Sequence, residues 1–564
     1  MSLKPTVEQA AAIDAFQLGR NLKVNAYAGT GKTSTLQMMA ESVDRKGTYI
    51  AFNRSIADEA GRRFPASVKA LTSHALAYRS IIQTGFSSGK MTGKLNANAI
   101  AQRLNLSALP IDSHHRLSVR QHAHVISETI RLFTQSDMEK IGPELVPMLG
   151  SLAKTDPDSL VELRTKIADV ATGLWEKMIS PKQEEYPLGH DGYFKLWANS
   201  MPQIPADYML LDEAQDSNPA LLKVLLSQTA QVVFVGDRFQ QIYAWRGAVN
   251  AMDEIHTDHA VELTQSFRFG REIAEMATKV LRLLDPAAHV GGFDRVKSKI
   301  GCSNPDAILS RTNASLIGFV LGALNAGRKP HIVGGTRDLR WLLGDVSVLK
   351  SGNPGTHPEF FGFNNWHEIE EFSERKEGEH LRTFVKIVRA HGEQSILSAL
   401  DKTANNEGEG DLVLSTAHRA KGREWPRVML DDDFFAPRSL DESKDSEGWK
   451  RSGHTVTGPN GLPYDIDPEE LRLLYVACTR AQQELQIPHW CSEFFGVKQD
   501  VKKLILEPKP TVSSHSPGVG AAVESLPQKQ PSNSNRQSPK AGSGVGWLWW
   551  VIGIVILFLM FGKK

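Results

Sequence analysis

Short apolar runs that stop at polar or glycine-rich loops punctuate this chain. Leu22 to Val24 run into Asn25–Thr33, Tyr208 to Leu211 end at Asp212-Glu213, and Val232 to Val235 end at Gly236-Asp237. Ala307 to Asn313 read as a further strand. Uninterrupted apolar runs of this length predict strands buried on both faces, as in a parallel sheet covered by helices. Between them the period changes to helical, for example over Val125–Phe133, and the long stretch 81–199 reads as a helical insertion. Pattern is lost after residue 507, where Pro, Ser, Gly, Gln and Asn dominate up to about 545 and predict a disordered linker. The uncharged run Trp547–Phe561 follows, then Gly562-Lys563-Lys564. As a helix that run is about 22 Å long, its uncharged flanks supply the rest of a span, and its Trp cluster suits an interface. It predicts a transmembrane tail anchor over 546–562, with an interfacial or partner-binding apolar helix as the alternative. Leu3–Phe16 is too polar for a signal peptide.

The polar ends of the strands carry the chemistry. Ala28-Gly29-Thr30-Gly31-Lys32-Thr33 forms a phosphate cradle, in which glycines let backbone N–H groups face phosphate oxygens. Lys32 would reach the β- and γ-phosphates and Thr33 would ligate Mg²⁺. The strict pattern wants Gly where Ala26 stands. Asp212 and Glu213, at the end of a later strand, supply the second half of such a site: Asp212 for Mg²⁺, Glu213 to orient and deprotonate the attacking water.

Together with these two blocks, Val232–Ala248 resembles the third motif of superfamily 1 helicases of the UvrD/Rep type, and the combination is similar to the core of the F-box helicase branch. The resemblance runs in ordered blocks over most of 1–490 and implies ATP and Mg²⁺ as cofactors. It implies that Gln9, in Thr6-Val7-Glu8-Gln9, reads the adenine edge, that Phe267 stacks on the base and that Glu424 meets the ribose. Gln240 would sense the γ-phosphate, and Arg268 and Arg480 would reach it from a second lobe. Phe52, Asn53, His74, Tyr243, Trp245, Arg246, Thr416 and His418 would contact the strand. Arg238, Phe239, Phe267, Arg419 and Arg423 depart from the family's common residues. A site split between lobes converts hydrolysis into relative motion, and exposed aromatics give a sequence-tolerant track.

The expected fold is α/β, with two RecA-like P-loop motor lobes and helical insertions. The first lobe would be 1–80 and 200–262, the insertion 81–199, the second lobe 263–318 and 411–500, and a shortened 2B-like insertion 319–410. A protein that binds nucleic acid by a large basic face often shows a strong excess of Lys and Arg; the net charge of +1 over 564 residues shows none, so any nucleic-acid track is expected to be a local groove. Cys302, Cys478 and Cys491 are too few and too scattered for a disulfide framework or zinc module. His114, His115, His122 and His124 read as a solvated helical face rather than a ligand set, and Asp431–Asp433 as a strand-end turn. The function expected is an ATP-dependent 3′–5′ DNA helicase or single-strand translocase, anchored to a membrane with its motor in the cytoplasm. A membrane-anchored ATP-gated nucleic-acid sensor without processive unwinding is the alternative. Single-stranded DNA or a tailed duplex would be the partner; protein partners in defence, repair or replication stay open.

Overall fold

The computed structural model describes residues 4–111, 116–147, 157–242, 251–360, 363–374, 378–440 and 452–499. Tyr243, Trp245, Arg246, His114, His115, the linker at 507–545 and the proposed anchor at 546–562 lie outside them. Among the described residues no helix is long and apolar enough to cross a membrane.

Six parallel strands form the first sheet: β1 (Leu22–Ala26), β2 (Gly47–Ala51), β3 (Val68–Thr72), β4 (Tyr208–Leu211), β5 (Gln231–Gly236) and β6 (His259–Leu263). Their order is β3-β2-β4-β5-β1-β6, so the strand leading to the glycine-rich turn lies inside the sheet with β5 beside it. One face is covered by the helices Val7–Gln17, Lys32–Glu41 and Arg54–Arg63 around Leu22, Leu36, Tyr49 and Tyr208. On the other face Ile50, Met209 and Phe234 share a core with Phe133, Ile167 and Trp197, so the 81–199 insertion is welded to the sheet by apolar burial. The helix expected around Val125–Phe133 runs over Val119–Gln135, opened by a capping box between Ser118 and Gln121. Its histidines depart from expectation: His122 is buried, with Nδ1 3.1 Å from the Ser107 carbonyl, and burial holds His124 below the usual imidazole range. His122 belongs to the side of that helix that packs and His124 is half-buried, so the solvated-face reading is corrected at His122.

The second sheet is also parallel: β7 (Lys299–Ile300), β8 (Ala307–Ser310), β9 (Pro330–Ile332), β10 (Leu412–Thr416), β11 (Trp425–Leu430) and β12 (Ala481–Gln486), ordered β9-β10-β8-β11-β12-β7. Two boundaries expected from sequence are corrected here. The helix Asn313–Asn325 continues past 318, and β9 brings a strand of the sheet out of the stretch assigned to a 2B-like insertion. The helices Arg337–Lys350, Trp366–Glu374, Glu379–His391 and Glu393–Leu400 then bury Leu342, Phe384 and Leu400 against Ile308, Ile332, Leu412 and Leu414. They are a covering layer of the second lobe, because their apolar faces are spent on its sheet. The opposite face packs on the helices Arg271–Arg282 and Pro468–Cys478. All three cysteines are buried and free, and burial pushes the Cys302 thiol up to about 11 and the Cys478 thiol up to about 12.

Candidate nucleotide cleft and nucleic-acid interface

β1 delivers the chain into a turn in which Gly29 and Gly31 have φ of +74° and +77°. A Cβ on Gly29 would stand 2.5 Å from Ser266 Oγ and 2.7 Å from Arg268 Cβ, so both conformation and space demand glycine there. Ala26 is the last, buried residue of β1, outside the curled part of the loop, which explains why the missing glycine is tolerated. Thr30 Oγ1 and Lys32 Nζ each donate to the Tyr27 carbonyl at 2.9 Å, closing the loop over the start of the helix Lys32–Glu41. Free N–H groups and the helix dipole make this turn an anion site.

Thr33 Oγ1 donates to Asp212 Oδ2 at 2.8 Å, and Tyr49 Oη donates to the same oxygen at 2.7 Å. A threonine hydroxyl in contact with a buried carboxylate is an oxygen pair suited to a hard divalent cation, so the residues present fit Mg²⁺. Burial, with Glu213 beside it, pushes the Asp212 carboxyl up against the opposing pull of Tyr49, Thr33 and Lys32. Burial would also raise Glu213, but Lys32, Lys421, Gln215 and Arg480 together hold it below the ordinary carboxylate value. Glu213 sits at φ 53°, in the left-handed region, with Oε2 accepting from Gln215 Nε2 at 2.6 Å. Strain of about 1–3 kcal/mol at such a position marks a side chain aimed for use.

Gln9, Gly31 and Phe267 meet at the mouth of the loop. Gln9 completes the capping box of its helix and donates to Thr35 Oγ1 at 3.1 Å. A Cβ on Gly31 would lie 3.4 Å from Gln9 Nε2 and 3.7 Å from the Phe267 ring. Glu8 accepts from Thr264 N at 2.8 Å and so fixes the first helix to the segment carrying Phe267 and Arg268. Glu424, to which the resemblance gives the ribose, lies beside Arg268. Its carboxylate bonds Arg268 Nε and accepts from Gln482 Nε2 at 2.9 Å.

The second lobe reaches this site through several further side chains. Arg480 is 1% exposed, and its guanidinium donates to Val476 O at 2.8 Å, Thr479 Oγ1 at 2.9 Å, Arg423 O at 3.2 Å and Gln240 Oε1 at 3.4 Å. Among the described residues no carboxylate bonds it, and burial, then Arg268, lowers its pKa. Sequence reasoning missed two more. Tyr475 accepts from the Ala28 backbone N–H at 2.9 Å and donates to Asp237 Oδ2 at 3.0 Å, tying the glycine-rich turn to β5. Lys421 Nζ donates to both Asp216 oxygens, at 2.7 and 2.6 Å, and to the Gln240 carbonyl at 2.6 Å. Gln240 Nε2 closes the set on Asp237 Oδ2 at 2.6 Å. The departures at 238 and 239 have packing roles: Arg238 pairs with Asp285, and the buried Phe239 ring stacks on Tyr27 at 5.8 Å.

The candidate strand-contacting residues divide between lobes. Phe52 is 58% exposed, and Asn53 caps the helix Arg54–Arg63 by accepting from Ile56 N at 3.0 Å. His74 Nε2 is 3.4 Å from Asp191 Oδ1, and its ring stacks on Phe194 at 5.0 Å. On the second lobe Thr416 and His418 line a cavity of about 840 Å³.

Comparison with known proteins agrees with this arrangement. Residues 9–246 match an AAA domain family, and residues 363–492 match the UvrD-like helicase C-terminal domain. The chain is 31% identical over 519 residues to F-box DNA helicase 1 of Gallus gallus, covering 85% of this chain and 48% of that protein. It is 30% identical over 532 residues to F-box DNA helicase protein 1 of Schizosaccharomyces pombe, covering 87% and 58% respectively. Over 141 residues, 24% of this chain and 18% of the relative, it is 30% identical to the ATP-dependent DNA helicase Rep of Escherichia coli. The chain thus spans about half the length of the F-box relatives. In chain order it is thus similar to an AAA domain and a UvrD-like helicase C-terminal domain, and along most of its length to F-box DNA helicases.

Proposed function

We propose that the chain is an ATP-driven DNA motor that steps along single strands in the 3′–5′ direction. The direction follows from the resemblance. The observation that carries the reading is the split nucleotide site: the glycine-rich turn, Asp212 and Glu213 belong to the first sheet, whereas Tyr475, Lys421 and Arg480 belong to the second and touch Ala28, Asp216 and Gln240. Thr33 and Asp212 would hold Mg²⁺, which when bound would supply positive charge against the phosphates of ATP. Lys32 and Arg480 bring positive charge to the γ-phosphate position from opposite lobes, with Arg268 held nearby by Glu424. Glu213, kept ionised by its cationic neighbours, takes the proton of the attacking water. Gln240 bonds Asp237 on one side and Arg480 and Lys421 on the other, so a change at the phosphate reaches both lobes.

Single-strand-stimulated ATPase measured beside strand displacement on 3′- and 5′-tailed duplexes tests this. Stimulated hydrolysis and displacement of the 3′-tailed substrate are expected, and a chain without stimulated ATPase overturns the reading. Stimulation without displacement is compatible with a single-strand translocase and is the outcome expected of the sensor alternative, favoured by the helices at 337–400 that cover the second sheet instead of forming a separate 2B-like body.

The tail reading rests on Trp547–Phe561 alone, and we infer a membrane anchor from it, with the motor in the cytoplasm. Deleting 546–564 is expected to release the chain into the soluble fraction with its single-strand-stimulated ATPase retained. Removal of the full-length chain from membranes by high salt or carbonate would sink the anchor.

A further inference from the structure

The cavity beside Thr416 and His418 holds side chains that no motif reading reached. Trp341, on the helix Arg337–Lys350, lines it and is 44% exposed. An indole left in water beside a large polar groove is costly unless something covers it. The ring is held in place rather than free to collapse onto the core. Its Nε1 donates to Thr356 Oγ1 at 2.8 Å, and the His357 ring meets it edge-on at 4.7 Å and 68°. Thr356 and His357 are fixed in turn by the buried Asp345 carboxylate, which accepts from both backbone N–H groups.

The charges around the groove decide what kind of contact can dominate there. Arg419 pairs with Asp338 at 2.9 Å, Arg423 with Glu407 at 2.6 Å and Arg311 with Glu470 at 2.6 Å. Cations already matched by carboxylates contribute little net attraction to a phosphate backbone, so affinity in this groove must come mainly from stacking and hydrogen bonds.

We propose that Trp341 is a base-stacking platform for single-stranded DNA on the second lobe, pre-oriented by Thr356 and His357. This rests on the single-strand motor reading above. The test uses full-length chain and a fluorescent oligo(dT), read by anisotropy, beside photocross-linking of an oligonucleotide bearing 5-iododeoxyuridine. Trp341→Ala is expected to weaken binding about 5- to 150-fold, the range for loss of one stacked base, with Trp341→Phe restoring most of it. The cross-linked peptide of the wild-type chain is expected to contain Trp341. Equal affinities of wild type and Trp341→Ala overturn the platform while leaving the motor reading in place. Equal losses in Trp341→Ala and Trp341→Phe, accompanied by a lowered melting temperature, also overturn it, because they mark a packing role. A wild-type chain that binds no oligonucleotide overturns both readings.

Discussion

Glu213→Gln is expected to stop ATP turnover while leaving nucleotide binding nearly intact. The substitution keeps the shape of the side chain and its neighbour Gln215 but removes the group that takes a proton, a loss of about 10²–10⁴-fold where a general base is deleted. Lys32→Ala is expected to fail differently. Removing the ammonium that now rests on the Tyr27 carbonyl, within reach of the phosphate cradle, weakens ATP binding as well as turnover. Single-turnover hydrolysis alongside equilibrium binding of a fluorescent ATP analogue separates the two. Hydrolysis by purified Glu213→Gln at near wild-type rate would refute the role given to that carboxylate.

Lys421→Met should produce the second large effect, through the join between the lobes. Lys421 and Asp216 are 11% and 5% exposed, and removing one partner of a buried pair costs about 3–5 kcal/mol when the other charge stays. Burial already pushes Asp216 up to about 6, with Glu213 adding to the rise and Lys421 opposing it. Without Lys421 the carboxyl is driven higher and takes up a proton near neutrality, which caps the loss. Turnover is expected to fall about 10- to 100-fold, since the cost falls on the join between lobes and one decade corresponds to about 1.4 kcal/mol. In the wild type the pair needs ionised Asp216, so turnover should decline as pH drops through about 6, and Asp216→Asn should erase that acid limb. The stability effect has the opposite sign: a carboxyl raised above its unfolded value makes the native chain less stable as pH climbs from about 4 to about 6. A kcat–pH profile unchanged in Asp216→Asn would refute the coupling.

Local features were legible in the sequence because they are local. Gly29, Gly31, Lys32 and Thr33 lie within five positions of one another and their geometry is set by the turn itself. The strands before Asp212 and Asp237 were legible for the same reason, as unbroken apolar runs buried on both faces. What escaped depends on partners far along the chain. Tyr475 is 447 positions from Ala28 and Lys421 is 205 from Asp216, and neither carries a local sign of the bond it makes. β9 is three residues long and opens on a proline, too brief for any period to register. The helices after it read as an insertion because amphipathic helices look alike whether they cover a sheet or one another.

The burial of Cys302, Cys478 and Cys491 has a practical consequence for following the two sheet-bearing halves. Their thiols are shielded from solvent, and burial raises all three above the usual cysteine value, so almost no thiolate is on offer to a maleimide near neutral pH. The unaltered chain is therefore a dark background for site-specific labelling. Dyes attached at single engineered surface cysteines, one on each sheet-bearing half, would report their separation through a catalytic cycle without first stripping out the natural sulfur atoms.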